Sequence, residues 1–162
     1  MQAIEPPADV HLERPARTDR ASRRRNTGDR RAVDEFWLRA EPSDSRIRGL
    51  ITTGGNTAAV ATTKAYNDNT WHHIALQRKA GSLSLGVDGA QVASVAAPTG
   101  SVSPGRPFKM YVGQRLDGLH HFDGSLDEVR IYKRALTAAE ISSIRTSNAT
   151  GIPNEVLDLP LG

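Results

Sequence analysis

The sequence predicts an all-β protein: an antiparallel two-sheet sandwich with one short C-terminal helix. Three observations predict it. Short segments with apolar residues at alternate positions recur along the chain, the period of a strand on a pleated, half-buried surface. Turn signals separate them, among them Gly54-Gly55, Ala80-Gly81, Asp88-Gly89 and Asp123-Gly124, the last a pair that tolerates the positive φ of a tight reversal. Only one stretch, residues 136–144, carries helix punctuation.

Length and composition set the bounds. A chain of 162 residues can bury one real core. It has no cysteine, so disulfides, thiolate metal sites and a cysteine nucleophile are excluded. No apolar run approaches the roughly 20 residues of a membrane span. The first thirty residues show no apolar stretch of the kind a signal peptide has.

Charge is uneven. Residues 1–31 hold eight arginines and five acidic residues, while the remainder holds thirteen basic and thirteen acidic residues. The basic surplus therefore belongs to the N-terminal segment, and the rest has no basic surplus to suggest nucleic acid. Residues 1–33 are polar and poor in large apolar side chains. Such a segment buries too little surface to offset its ordering entropy, so it is expected to be a disordered basic tail.

The elements follow in order. Residues 36–42, with Phe36, Trp37 and Leu38, read as a strand, and residues 43–45 as a loop. Residues 48–53 read as a second strand, turning at Gly54-Gly55-Asn56 into a third over 58–66. Asn67-Asp68-Asn69 turns the chain again. Residues 71–79 read as a central strand, with apolar residues on both faces. Leu83, Leu85 and Val87 alternate with Ser84, Gly86 and Asp88, and Asp88-Gly89 turns the chain into 91–95. Residues 96–106 are a Pro/Ser/Gly loop. Phe108, Met110 and Val112 mark another strand. Residues 114–124 form a polar loop with Arg115, Asp117, His120 and His121. Trp37 and Trp71 are expected in the core, as large aromatics usually are.

The stretch 122–144, FDGSLDEVRIYKRALTAAEISSI, combines turn, strand and helix. A period of two over 125–132 places Asp127, Val129 and Ile131 on one inward face. Burying a bare carboxylate is very costly, so Asp127 there needs hydrogen bonds, a cation or a proton. Thr137 and Glu140 have the spacing of a capping box, and Leu136 with Ile141 that of a hydrophobic staple. Residues 148–162, with Pro153 and Pro160, read as a C-terminal tail.

This stretch resembles the end of a LamG-like, concanavalin A-like jelly-roll domain. Trp71-His72-His73-Ile74-Ala75, the run 83–89 (LSLGVDG) and Phe36-Trp37-Leu38-Arg39 are similar to further signatures of that family, in the same order. The resemblance implies a jelly-roll domain over 34–147. No segment resembles the family's strand before Phe36, so the domain is expected to lack an N-terminal edge strand.

Catalysis is not expected. Glycoside hydrolysis needs two carboxylates about 5–9.5 Å apart across a cleft. The E-x-D-x-x-E strand of jelly-roll glucanases has no counterpart here, and the adjacent Asp127 and Glu128 face opposite ways on a strand. There is no G-x-S-x-G elbow and no phosphate loop. His72-His73 and His120-His121 each offer at most one ligand to a site, whereas zinc takes three or four. What the resemblance implies is a non-catalytic recognition module, accessory to a secreted or surface bacterial protein, whose partner is carbohydrate or glycoprotein. Candidate ligand-binding residues are Tyr111, Arg115, Asp117, His120 and His121. The resemblance also makes a structural calcium a candidate partner for Asp127. The competing function is a structural or protein-adhesion sandwich with no glycan site.

Overall fold

The computed structural model describes residues 9–13, 34–102, 109–115 and 121–159. Its elements run β1 (Asp9–Glu13), β2 (Glu35–Glu41), β3 (Arg46–Thr53), β4 (Asn56–Ala61), β5 (Ile74–Lys79), β6 (Ser82–Val87), β7 (Ala90–Ala96), β8 (Lys109–Tyr111), β9 (Val129–Tyr132), α1 (Ala138–Ser147) and β10 (Glu155–Leu159). The strands form a five-stranded sheet in the order β4-β3-β2-β1-β8, a three-stranded sheet β5-β6-β7 and a two-stranded ribbon β10-β9. Every pairing is antiparallel. The result is a β-sandwich with one short helix.

The hairpins follow from backbone chemistry. Gly54-Gly55, Ala80-Gly81 and Asp88-Gly89 all take positive φ and join β3 to β4, β5 to β6 and β6 to β7 through two-residue loops. Two successive positive φ values define the turn whose twist matches that of the flanking strands. Ala80 is the outlier, since its Cβ is strained at φ 48°.

The core forms where alternation is cleanest. Ile51, Ala58 and Val60 from the large sheet meet Leu83 and Leu85 from the three-stranded sheet. Leu85 is fully buried and Leu83 is 1% exposed; burying each such side chain stabilises by about 1.5–3 kcal/mol. The sheets come close where a Cβ on Gly49 would lie 2.4 Å from Leu76 Cδ1, so β3 admits only glycine there unless Leu76 shifts. Buried hydroxyls are satisfied: Thr62 accepts from the Ile47 N–H at 3.1 Å and donates to the Lys64 carbonyl at 2.8 Å.

Two expectations about the chain ends are corrected. Residues 9–13, expected in a disordered tail, form β1, which pairs with β2 on one side and β8 on the other. The large sheet does not lack its N-terminal strand, and that strand is interior. The signal was weak because Val10 and Leu12 alternate over only five residues, in a segment dominated by arginine. The remainder of 1–33 lies outside the described residues. At the other end, residues 155–159 of the expected tail pair with β9 as β10.

The strand containing Asp127 is also corrected. Glu128 has φ 53°, so the extended run breaks there and β9 begins only at Val129. Asp127 lies outside the strand and is exposed, accepting from the Glu128 N–H at 2.8 Å. The buried charge is instead Arg130, its side chain 4% exposed. Its guanidinium donates to Glu128 Oε2 at 2.8 Å, to Asn148 Oδ1 and to the Ala149 carbonyl. Glu155 lies 3.9 Å away and accepts from the Tyr132 hydroxyl at 3.1 Å. One cation thus ties β9 to β10 and to the end of α1. Its five donors are what allow that many partners.

The helix forms as its sequence predicts. Thr137 Oγ1 accepts from the Glu140 N–H at 3.2 Å, and Glu140 Oε2 accepts from the Thr137 N–H at 2.7 Å. Asn148 closes the helix in the left-handed region. The Leu136 N–H donates to Gln77 Oε1 at 2.7 Å, so the helix lead-in docks on β5. Residues 71–79, expected as a central strand, begin strand structure at Ile74 and form an edge; β6 is central.

A histidine-clamped loop as the candidate functional site

Residues 62–73 connect the large sheet to β5 and carry the most distinctive polar geometry among the described residues. Asp68 opens a turn by accepting from the Thr70 N–H at 3.2 Å and from its hydroxyl at 2.7 Å. Asn69 takes the left-handed conformation at φ 60°, which asparagine tolerates. These bonds bend the chain so that Trp71 points outward and His72 inward. Trp71 is 47% exposed, whereas the His72 side chain is 13% exposed. The expectation that Trp71 belongs to the core is therefore corrected: strand alternation does not begin until Ile74, and the preceding loop sets the direction of the indole.

His72 is held at both ring nitrogens. Nδ1 lies 2.8 Å from Asp88 Oδ2. Nε2 lies 3.0 Å from Asp68 Oδ1 and 3.1 Å from Thr70 Oγ1. The Tyr66 ring meets the imidazole edge-on at 5.0 Å, and Lys64 sits over Tyr66 at 5.2 Å. Asp88 Oδ1 accepts from the His73 N–H at 2.9 Å, fixing the β6–β7 turn to the start of β5.

The electrostatics follow from these contacts. Partial burial works against the imidazolium, but the hydrogen bonds and charges of Asp88 and Asp68 outweigh it and raise the His72 pKa above its ordinary 6.5. Asp68 is lowered to about 2, chiefly by the Thr70 hydroxyl and then by His72. Asp88 is lowered because its bonds to His72 and the His73 N–H exceed its desolvation. His73 behaves oppositely: burial, and then Arg145, push it down. The His73 Nδ1 is buried without a hydrogen-bond partner.

Beside this loop opens a cleft of about 1770 Å³ between the large sheet, β5 and the β9–α1 region. Trp71, Asn67 and Tyr66 line it together with apolar residues such as Phe36, Leu76 and Ile131. Trp37 also lines the cleft, but the Arg39 guanidinium lies 4.7 Å over its ring and occupies one face.

Of the site residues named from sequence, Tyr111, Arg115 and His121 do not line this cleft. Tyr111 ends β8, in register with His11 of β1. Arg115 is half-buried at the base of the 114–121 loop. His121 is exposed and bridges to Gln114 across it. Asp117 and His120 lie outside the described residues. Among the described residues no group of three or more histidine or acidic side chains could hold a metal. Sequence reasoning missed the Asp68–His72–Asp88 cluster, although Asp68 and His72 stand four apart and Asp88 begins a recognised turn. The missing signal was that loop 62–73 folds against that turn.

Among the described residues no helix is long and apolar enough to cross a membrane. The arrangement offers an exposed aromatic face beside amides, a hydroxyl and a fixed charge cluster. No curated protein gives a match to the chain. A similar solved structure is the S-layer domain-containing protein (residues 221–444) from Clostridium thermocellum, 23% identical with a TM-score of 0.44; the match covers 70% of this chain and 57% of that one. The family model of the concanavalin A-like lectin/glucanases superfamily matches residues 13–142. That range takes in β2 through β9, the first half of the helix and the whole clamped loop, and the chain belongs to this superfamily.

Proposed function

We propose that the protein is a non-catalytic recognition module that binds carbohydrate through the Trp71 loop, as an accessory part of a surface or extracellular protein. The observation that carries this reading is Trp71, which is 47% exposed at a cleft also lined by Asn67 and Tyr66. A sugar ring presents C–H groups to an aromatic face and hydroxyls to surrounding amides and carboxylates, and this loop offers both. Membership of a lectin-containing superfamily supports the same ligand class.

Carboxylate chemistry supports the non-catalytic part. A glycosidase acid needs its pKa raised. Among the described residues, the carboxyls with shifted values, Asp44, Asp68, Asp88 and Glu140, are all lowered by hydrogen bonds accepted from cations, hydroxyls or amides. Such groups are poor proton donors near neutral pH.

The test is retention of the full chain on insoluble cellulose, xylan and chitin, together with a glycan array and a reducing-sugar assay. Wild type should be retained on at least one glycan, and Trp71→Ala should lose that retention with an unchanged melting temperature. Retention of Trp71→Ala at the wild-type level would move the site elsewhere. Binding to protein partners but to no glycan would favour an adhesion module, and hydrolysis of any polysaccharide would overturn the non-catalytic reading.

A further inference from the structure

The proton count around His72 is over-determined. An ionised carboxylate only accepts hydrogen bonds. Asp88 Oδ2 faces Nδ1 and Asp68 Oδ1 faces Nε2, so both ring nitrogens must donate. A neutral imidazole has one donor, and an imidazolium has two. Thr70 cannot make up the difference in this arrangement. Its single hydroxyl proton is directed to Asp68 at 2.7 Å, which leaves its oxygen as an acceptor toward Nε2. The geometry drawn here is that of a charged His72.

We propose that protonation of His72 is a switch for the Trp71 loop, closing the loop on the Asp68 and Asp88 carboxylates in acid and releasing it in base. The proposal rests on the reading of Trp71 as the binding face and adds its regulation. When His72 loses its proton, Nδ1–H stays on Asp88 and the Nε2 lone pair faces the Asp68 carboxylate. Asp68 moves away, or the Thr70 hydroxyl turns from Asp68 to donate to Nε2. Either way Asp68 loses the His72 bond, and the turn that aims Trp71 loosens. The remaining charged groups near the site, Lys64 and Arg145, are cations that work against a charged His72, so the two carboxylates carry the effect. Lys64 approaches only through the Tyr66 ring. Burial, and then Arg145, disfavour a charge on His73. The two aspartates stay ionised well below neutrality.

The sign follows from the direction of the His72 shift. A raised folded value contributes loop stability in full below the ordinary 6.5, and that contribution is lost as pH rises through the folded value. Two measurements test it on the full chain. Long-range proton–nitrogen NMR of the His72 ring should show both nitrogens protonated at about pH 6, with a titration midpoint above that of a free histidine. In Asp68→Asn the midpoint should drop, because the amide can donate to a neutral Nε2. Binding to the polysaccharide most strongly retained above should weaken at least about fivefold between pH 6 and pH 9 in wild type, a typical coupling between two sites. Asp68→Asn should flatten that dependence. A His72 ring that is neutral at pH 6, or an unchanged midpoint in Asp68→Asn, would overturn the switch whatever the ligand. A correct NMR titration with pH-independent binding would also overturn it. Absence of retention at every pH would count against the carbohydrate reading while the NMR result still decided the clamp.

Discussion

Replacing Arg130 by alanine is the perturbation that most directly probes how the C-terminal part is assembled. The guanidinium is 4% exposed and reaches Glu128, Asn148, the Ala149 carbonyl and Glu155. Its removal orphans a carbonyl and an amide oxygen. It also leaves two carboxylates, at 30% and 19% side-chain exposure, without their shared cation. Breaking a buried pair from one side costs about 3–5 kcal/mol. Because the carboxylates keep some contact with water, we expect the low end, about 3 kcal/mol. For a chain of this size each kcal/mol lowers the melting temperature by about 2–4 °C, so the expected drop is about 6–12 °C. Calorimetry or thermal circular dichroism reads it. Arg130→Lys should recover only part of the loss, because an ammonium lacks the fork that serves several acceptors at once. Glu128→Gln in the alanine background should also recover part, by relieving the unpaired charge. A drop below about 2 °C for Arg130→Ala would refute the claim that this cation joins β9, β10 and α1.

Three further outcomes are expected. Leu85→Ala removes a fully buried side chain from the contact between the sheets and should cost about 2–5 kcal/mol in denaturant unfolding, by transfer and cavity terms together. Ala80→Gly relieves a Cβ held at φ 48°; that strain, about 1–2 kcal/mol, exceeds the entropic disadvantage of glycine, about 0.5–1 kcal/mol, so the midpoint should rise slightly. Glu140 is lowered to about 2, chiefly by its hydrogen bond from Arg134 and then by the Thr137 N–H. Its contribution is complete above the ordinary 4.5 and is lost as pH falls toward 2. Acid titration of helix content should show this slope in wild type and lose it in Glu140→Gln.

Local signals were legible wherever one residue's chemistry fixed the outcome. Gly54-Gly55 and Asp88-Gly89 marked two hairpins, because glycine and aspartate tolerate φ > 0, and Gly81 marked the third, where Ala80 takes φ > 0 under strain. The Thr137 and Glu140 spacing set the helix start, since both capping partners lie within one turn. Alternation in Leu83, Leu85 and Val87 named the inner face of β6. The motifs over 36–39, 71–75, 83–89 and 122–144 were enough to point to the family. What failed did so through single residues that break a pattern. Glu128, in the left-handed region, interrupts the run and turns Asp127 out to water. Trp71 precedes its strand rather than belonging to it.

The sequence by itself determined the fold class, the hairpins, the capped helix and the inward face of β6, because those depend on neighbours within a few positions. Only the tertiary structure decided that residues 9–13 are an interior strand, that Arg130 is the buried charge, and that His72 lies between Asp68 and Asp88. Each of these depends on partners distant in the chain. β1 is held by β2 and β8, Arg130 by the helix end and β10, and His72 by a turn sixteen residues away. Periodicity and spacing describe a segment, whereas hydrogen-bond partners across loops are chosen by how the sheets and loops pack.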